Sequence, residues 1–305
     1  MVVNIATSGR PDLLGHTLNS LGECQLPAGY KETVVIENGT RAGLEEVVRS
    51  ARAQLNARYM HVAQGNKSAA LNAALETVGD CLVFFTDDDV RLAPLTLRAY
   101  AEAAQRCGAR HFFGGPASAE YDVPPPQWLR EFLPFSAIGW ERSPDAHDAN
   151  DQPGKSAKFL GFNWAAFAGD LRAAGGFNPD FGPGSPTGST GQETEMQRRL
   201  LSRGLIAVYV PQARVWHYVP KDRCTPAWAL ERIYRNGIQD GLFARPGNSK
   251  FSILPPWWIT SRYLKGILKA WMWSLSSRPE RRFKAKYRRR YDCGLVHGIR
   301  SKSKD

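Results

Sequence analysis

Short apolar runs alternate with helical stripes along the first third of the chain. Val2 to Ala6 reads as a strand, and Pro11 to Leu21 as a helix with Leu14, Leu18 and Leu21 at i, i+4 and i+7. Thr33 to Glu37 predicts a second strand, after which Leu44, Val47, Val48, Ala51 and Leu55 mark one face of a second helix. A third strand near Tyr59 to Val62 leads into a helix with Ala70, Leu71, Ala74 and Leu75 inward. The fourth apolar run, Cys81 to Phe85, ends at Thr86 and three carboxylates, Asp87, Asp88 and Asp89. This alternation predicts an α/β fold with a parallel sheet covered on both faces. Residues 1–116, ending at Phe112-Phe113-Gly114-Gly115-Pro116, are expected to form a nucleotide-binding type of half-domain.

The pattern breaks up after Ala117, with Pro124-Pro125-Pro126 and a polar run from Ser143 to Lys155, and long insertions of this kind often shape a substrate site. Regularity returns at Phe162 to Phe167. The stretch Gly182 to Gly191 holds four Gly and two Pro and predicts a mobile loop, which suits a lid or a plain linker equally. A helix from Gln192 to Arg203 follows, then strands at Ala207 to Val210 and Val215 to Val219. Residues 117–254 are thus expected to complete the same domain as its acceptor-binding and catalytic half. Beyond them, residues 255–305 open with Pro255-Pro256-Trp257-Trp258. Leu264, Ile267, Leu268, Trp271, Met272 and Leu275 then lie at helical spacing, with Arg262, Lys265 and Lys269 off that stripe. Arg278, Arg281, Arg282, Lys284, Lys286, Arg288, Arg289 and Arg290 follow, so the region reads as a helical, basic extension.

Charge sharpens that picture. The 305 residues are 43% hydrophobic, ample for a core, and carry a net charge of +11. Residues 255–305 hold 14 of the 40 Lys and Arg and 3 of the 29 Asp and Glu, so the rest of the chain is neutral. A basic tail calls for an anionic partner. Trp-rich apolar positions beside clustered cations describe a helix lying in an anionic membrane interface, and a helix docked on the body with a solvated basic end is the plainer alternative. Nucleic acid ranks third, because no binding motif accompanies the charge. Five scattered cysteines, none at CxxC spacing, and the lack of a charged start with an apolar core at the N-terminus point to a cytoplasmic setting. No run of 18 apolar residues is present. The expected location is therefore peripheral, at the inner face of a membrane.

Three carboxylates at the end of a buried strand need a positive partner. In an open α/β sheet a hard divalent cation carrying phosphate oxygens meets that need, whereas an acidic turn capping the next helix is the bland alternative. The segments around the triad resemble a family 2 glycosyltransferase of the GT-A fold over roughly residues 2–245. Asn4-Ile5-Ala6-Thr7-Ser8-Gly9-Arg10-Pro11 is similar to that family's first strand and turn, and Val35-Ile36-Glu37-Asn38-Gly39-Thr40 to its second. Gly65-Asn66-Lys67-Ser68-Ala69-Ala70-Leu71-Asn72 resembles the segment beside the donor diphosphate, and Asp87-Asp88-Asp89 falls where the family keeps its DxD motif. Gly175-Gly176-Phe177, Thr194-Glu195-Met196 with Arg199, and Val215-Trp216-His217 follow in family order. Two positions depart from the family's usage: Gln192-Glu193 stands where Glu-Asp is common, and Glu37 where Asp is usual.

The resemblance implies a Rossmann-like mixed sheet flanked by helices, a nucleotide-sugar donor such as a UDP-sugar, a glycan or lipid-linked acceptor, and Mn²⁺ or Mg²⁺. It implies that Asp89 ligates the metal, that Asp87 holds ribose or a second coordination position, and that Asp88 is structural beside the nucleotide. His217 would be the third ligand. Transfer with inversion needs one base for the acceptor hydroxyl, and Glu193 is the candidate, with Glu195 able to serve equally as helix N-terminal charge. Glu37 could accept from the N3–H of a uracil-type base, or cap the Asn38-Gly39 turn. Arg10 and Lys67 could offset diphosphate charge, and Thr7 would offer backbone contacts to the base. A sugar nucleotidyltransferase, or a non-catalytic membrane or nucleic-acid adaptor that has kept the fold, are the other readings.

Overall fold

The computed structural model describes residues 1–142, 159–244, 261 and 279–301. The polar run from Ser143 to Lys155, the Pro255 to Trp258 stretch and the apolar stripe from Leu264 to Leu275 lie outside the described residues. The first four strands are β1 (Val2–Thr7), β2 (Glu32–Asn38), β3 (Ala57–Val62) and β4 (Leu82–Asp87). They are parallel, in the order β3-β2-β1-β4. Their side chains alternate between two cores. Val3, Ile5, Val35 and Phe84 enter one, and Val2, Ala6, Val34, Ile36, Val83 and Phe85 the other. Burial on both faces is why these strands are continuous apolar runs. Helix α1 (Pro11–Gly22) buries Leu14, Leu18 and Leu21 as its spacing predicts. The helix expected over 44–55 is two short pieces, α2 (Glu45–Ser50) and α3 (Arg52–Leu55), joined at Ala51. Helix α4 (Lys67–Thr77) turns Ala70, Leu71, Ala74 and Leu75 inward, and the side chain of Asn66 caps it by accepting from the Ala69 amide.

Beyond β4 the sheet becomes mixed, as the family resemblance implies. After β5 (Val90–Leu92), α5 (Thr96–Cys107), β6 (His111–Gly114), β7 (Ala117–Tyr121) and α6 (Phe135–Ile138) comes β8 (Trp164–Phe167), which inserts between β4 and β6, antiparallel to both. Helices α7 (Ala168–Ala173) and α8 (Gln192–Ser202) lead to β9 (Ile206–Tyr209), which closes the seven-stranded sheet beside β6. A second, three-stranded sheet has the order β5-β10-β7, with β10 spanning Val215–Val219. Contacts divide the chain into two compact units. The first comprises Met1–Glu120, Phe135–Pro179 and Gln192–Val219, and the second Tyr121–Pro134, Asp180–Gly191 and Pro220–Asp305.

Within the second unit, α9 (Pro226–Phe243) and α10 (Pro279–Arg300) run in the same direction and touch backbone to backbone. A Cβ placed on Gly237 or Gly241 of α9 would collide with the carbonyl oxygens of Tyr291 or Leu295. One on Gly294 or Gly298 of α10 would meet those of Tyr234 or Ile238. Glycine four residues apart on both helices lets the axes approach this closely. The loop Gly182–Gly191, expected to be mobile, is closed on itself. Thr187 and Ser189 hydroxyls both donate to the Asp180 carbonyl, at 2.6 and 2.9 Å, and Thr187, Ser189 and Thr190 are buried. Its Gly and Pro residues shape turns that these hydroxyls then fasten. No helix among the described residues is long and apolar enough to cross a membrane.

Gly294→Val forces a branched side chain into the α9–α10 contact and should cost about 1–3 kcal/mol, the scale of overpacking. Gly15→Ala, in α1 with open space around it, should instead stabilise by up to about 1 kcal/mol. Chemical denaturation of both variants tests the contact; an unchanged midpoint for Gly294→Val would contradict it.

Candidate active site

The β1–β4 register sets Ala6 beside Asp87, so Thr7 and the turn after it stand against the acidic end of β4. The Thr7 hydroxyl donates to Asp88 Oδ2 at 2.5 Å. Arg10 then grips two carboxylates at once. Its Nε donates to Asp88 Oδ2 at 3.2 Å, its Nη2 pairs with Asp88 Oδ1, and its Nη1 donates to Asp89 Oδ2 at 2.7 Å. Both Asp side chains are almost wholly buried, and the Arg is about a third exposed. Burial pushes the Asp88 carboxyl above its ordinary range, and Arg10 works against that rise. The same carboxylates outweigh burial at Arg10 and raise the pKa of its guanidinium, fixing its charge. Arg10 is therefore the counter-charge of the protein's own acidic turn.

Antiparallel pairing of β10 with β5 places His217 opposite Val90, one residue past Asp89, and the Tyr218 amide donates to the Asp89 carbonyl at 2.8 Å. The imidazole is buried, stacked on Phe162 with centroids 4.4 Å apart and planes 10° apart. Its Nδ1 lies 2.7 Å from the Ser136 carbonyl oxygen. A carbonyl only accepts, so Nδ1 carries the proton and, in the neutral ring, Nε2 presents a lone pair. That lone pair faces Asp89 Oδ1 at 3.3 Å. Two acceptors in contact repel unless a proton or a cation lies between them. This donor pair fits a hard divalent cation, and the Ser136 carbonyl behind Nδ1 orients the ring as the backbone commonly does for a ligating His. Among the described residues no group of three or more His, Cys, Asp or Glu side chains is gathered for a metal. Asp87 is elsewhere engaged, paired with Lys67 Nζ.

Burial would lower the Lys67 pKa, but Asp87, and then Glu193 and Asp89, raise it overall, which places Glu193 within the field of this group. The Glu193 side chain lies against the backbone of Gly161, which has no Cβ to displace it. Glu195 is committed to structure. It takes two hydrogen bonds from Arg199, at 2.7 and 2.6 Å, while Arg199 also donates to the carbonyls of Ala174 and Gly176. Of the two acids on the first turn of α8, Glu193 is the one outside this clamp.

The second strand's end is also committed. Glu37 is fully buried; its Oε1 accepts from the Ala42 amide at 2.6 Å and its Oε2 from the Tyr59 hydroxyl at 2.5 Å. Burial, with Glu37 beside it, pushes the Tyr59 phenol up to about 12, so it remains a donor. Glu37 thus fixes the loop after β2. Asn38 ties β2 to β1 through a 2.7 Å bond from Nδ2 to the Thr7 carbonyl oxygen. Thr7 contributes through its hydroxyl as well as its backbone.

The sequence profile described as Glycosyl transferase family 2 matches residues 3–169, more than half of the chain. The chain belongs to glycosyl transferase family 2. It is an enzyme that transfers sugar. It is 28% identical over 248 residues to the succinoglycan biosynthesis protein ExoM of Rhizobium meliloti (strain 1021), covering 78% of this chain and 73% of that one. Its fold matches the mannosyltransferase PcManGT of Pyrobaculum calidifontis, solved with GDP-Man and Mn²⁺, at a TM-score of 0.59 and 19% identity, over 97% of this chain and 85% of that one. It also matches S. aureus TarS 1-349 in complex with UDP-GlcNAc, at 0.55 and 15% identity, over 93% and 78%. The family 2 α/β architecture, a mostly parallel sheet flanked by helices, is the one described above.

Three supports of this site went unnoticed in the sequence: the Ser136 carbonyl, Phe162 under the imidazole, and Gly161 under Glu193. None has a local signal, since each depends on a distant segment returning to the sheet. Asn66 does have one. Asn before a helix is a cap signal, and Asn66 also donates to the Pro179 carbonyl at 2.9 Å, while Asn72 bonds both the amide and the carbonyl of Phe177.

Arg10→Ala should destabilise the protein by about 1–3 kcal/mol near pH 7, because two buried carboxylates lose their shared donor. Loss of Arg10 also raises the already elevated Asp88 pKa. A carboxyl whose folded pKa exceeds its unfolded value contributes its stability below the unfolded value and loses it as pH climbs through the folded one. The deficit of the variant should therefore narrow as pH falls towards about 4. Urea denaturation across that range checks this, and a deficit independent of pH would count against the pairing.

Proposed function

We propose that this family 2 enzyme moves a sugar from a nucleoside diphosphate donor, a UDP-sugar or similar, to a hydroxyl of a glycan or glycolipid, with inversion and with Mn²⁺ or Mg²⁺ bound. The observation that carries the reading is the apposition of His217 Nε2 and Asp89 Oδ1 at 3.3 Å, at the carboxyl end of the sheet, where such folds bind ligands. Bound there, the cation would offset the charge that develops on the departing diphosphate. Asp89 and His217 would hold the cation from the protein side, leaving positions for substrate phosphate and water. GDP-Man and Mn²⁺ in PcManGT, and UDP-GlcNAc in TarS, lend support from proteins of the same fold.

The chain's own residues then divide the work. Asp88, held by Thr7 and Arg10, keeps the turn that aims Asp89. The Ser136 carbonyl holds His217 in the tautomer whose Nε2 can bind metal. Glu193 takes the proton from the acceptor hydroxyl as that oxygen attacks the anomeric carbon opposite the leaving diphosphate. Lys67 keeps its proton and bridges Asp87 to the substrate side of the sheet. The resemblance to a protein of succinoglycan biosynthesis supports a saccharide acceptor, and the basic C-terminal region supports action at an anionic membrane surface.

A panel of sugar nucleotides, assayed for nucleoside diphosphate release with Mn²⁺ and with chelator, tests the reading; no metal-dependent release from any donor would defeat it. Glu193→Gln should retain donor affinity and lower turnover by about 10²-fold or more, the usual scale of a general base. Should Glu195→Gln match it in turnover at full stability, the base would be misassigned. His217→Ala should weaken nucleoside diphosphate binding in Mn²⁺ by about tenfold or more and leave binding in chelator unchanged. Calorimetry on the folded variant decides, since equal losses in both conditions would mean that His217 only props the site.

A further inference from the structure

The second unit carries a charge feature that sugar transfer does not use. On α10, Arg281, Arg282, Lys284, Lys286, Arg288 and Arg289 are all exposed. Among the described residues none of the six has an acidic side chain within ion-pair distance; Arg290 alone of this run is matched, to Glu231 at 3.2 Å. Like charges at i, i+4, as in Arg282–Lys286 and Lys284–Arg288, destabilise an isolated helix. A helix that keeps so many of them gains from an anion outside the protein.

Geometry narrows where that anion sits. Trp128, Pro226, Arg282, Phe283 and Lys286 line a shallow recess of about 370 Å³. Arg282 and Lys286 are one turn apart on the same helix, and Pro226 begins α9, whose positive dipole end adds to theirs. The floor is aromatic. Trp128 meets Phe283 edge-on at 5.3 Å, and Phe132 meets Phe283 and Tyr287 at 4.9 and 5.2 Å. Trp128 remains about a third exposed. Cations beside a partly exposed Trp match the headgroup boundary of a membrane, where phosphate and acyl chain meet. The sequence before α10 holds Trp257, Trp258, Trp271 and Trp273, four of the nine tryptophans, a composition that suits an apolar boundary better than the phosphate backbone of a nucleic acid.

We propose that this recess receives the phosphate head of an anionic phospholipid, with Arg282 and Lys286 on the phosphate and Trp128 at the acyl boundary. The assignment rests on the membrane-surface part of the proposed function. Each cation near an anionic surface contributes about 1 kcal/mol, which is about fivefold in partitioning. Full-length protein is sedimented with phosphatidylcholine vesicles and with vesicles that also contain phosphatidylglycerol. Wild type should pellet with the anionic vesicles only, and Arg282→Gln with Lys286→Gln should lower partitioning by about 25-fold while donor hydrolysis is unchanged. Arg98→Gln with Arg106→Gln, removing the same charge from another recess in the first unit, should leave partitioning intact. Wild type failing to pellet with anionic vesicles would overturn both the recess and the membrane reading. Pelleting of wild type with equal loss in both double variants would overturn the recess and leave the membrane reading standing. Release from the vesicles by an oligonucleotide at matched phosphate concentration would overturn the lipid assignment in favour of nucleic acid.

Discussion

Two buried carboxylates on one guanidinium set the terms for the rest of the first unit. Asp88 and Asp89 have virtually no water, and their charge is tolerable because Arg10 reaches both from the turn after β1. That reach requires β1 and β4 to be neighbours in their observed register, and the register in turn requires helices on both faces to cover the strands. The acidic turn is thus a point at which fold and site are the same constraint. Shifting one strand by a residue would exchange its two faces between cores and withdraw Arg10 from its partners.

His217 answers to a different part of the chain. Its place beside Asp89 comes from β10 pairing with β5, a three-residue strand, and its orientation from Ser136 and Phe162. Two separate stretches thus fix one imidazole, and Arg10 meets it at the same carboxylate from a third. Glu193 reaches the same field from α8, over a glycine that leaves it room. Such convergence gives precision because each side chain is fixed by a neighbour that takes no part in the chemistry.

The sequence exposed some of this and concealed the rest for physical reasons. Strands β1 to β4 were legible because burial on both faces makes them continuous apolar runs, and α4 because Ala70, Leu71, Ala74 and Leu75 keep helical period. The acidic triad was legible as a cluster at a strand end. Its pairing with Arg10 and Lys67 was not, since these cations lie some twenty to eighty positions away along the chain. Strand β8 enters the sheet antiparallel from beyond a long insertion, which no local period announces. Helix α9 escaped notice because its inward face is Ala229, Gly237, Ile238 and Gly241 instead of a leucine stripe.

That glycine face has a kinetic consequence. Helices α9 and α10 run in parallel and are distant in sequence, so their contact is a long-range one. A glycine-lined helix has little apolar surface of its own with which to hold a partial structure, and glycine in helix interiors costs about 1 kcal/mol each relative to alanine. Helix α9 should therefore gain lasting protection only once α10 has arrived. A long-range contact costs chain entropy before it repays it, so the α9–α10 pair should order late and slowly, whereas adjacent β1, α1 and β2 can assemble early.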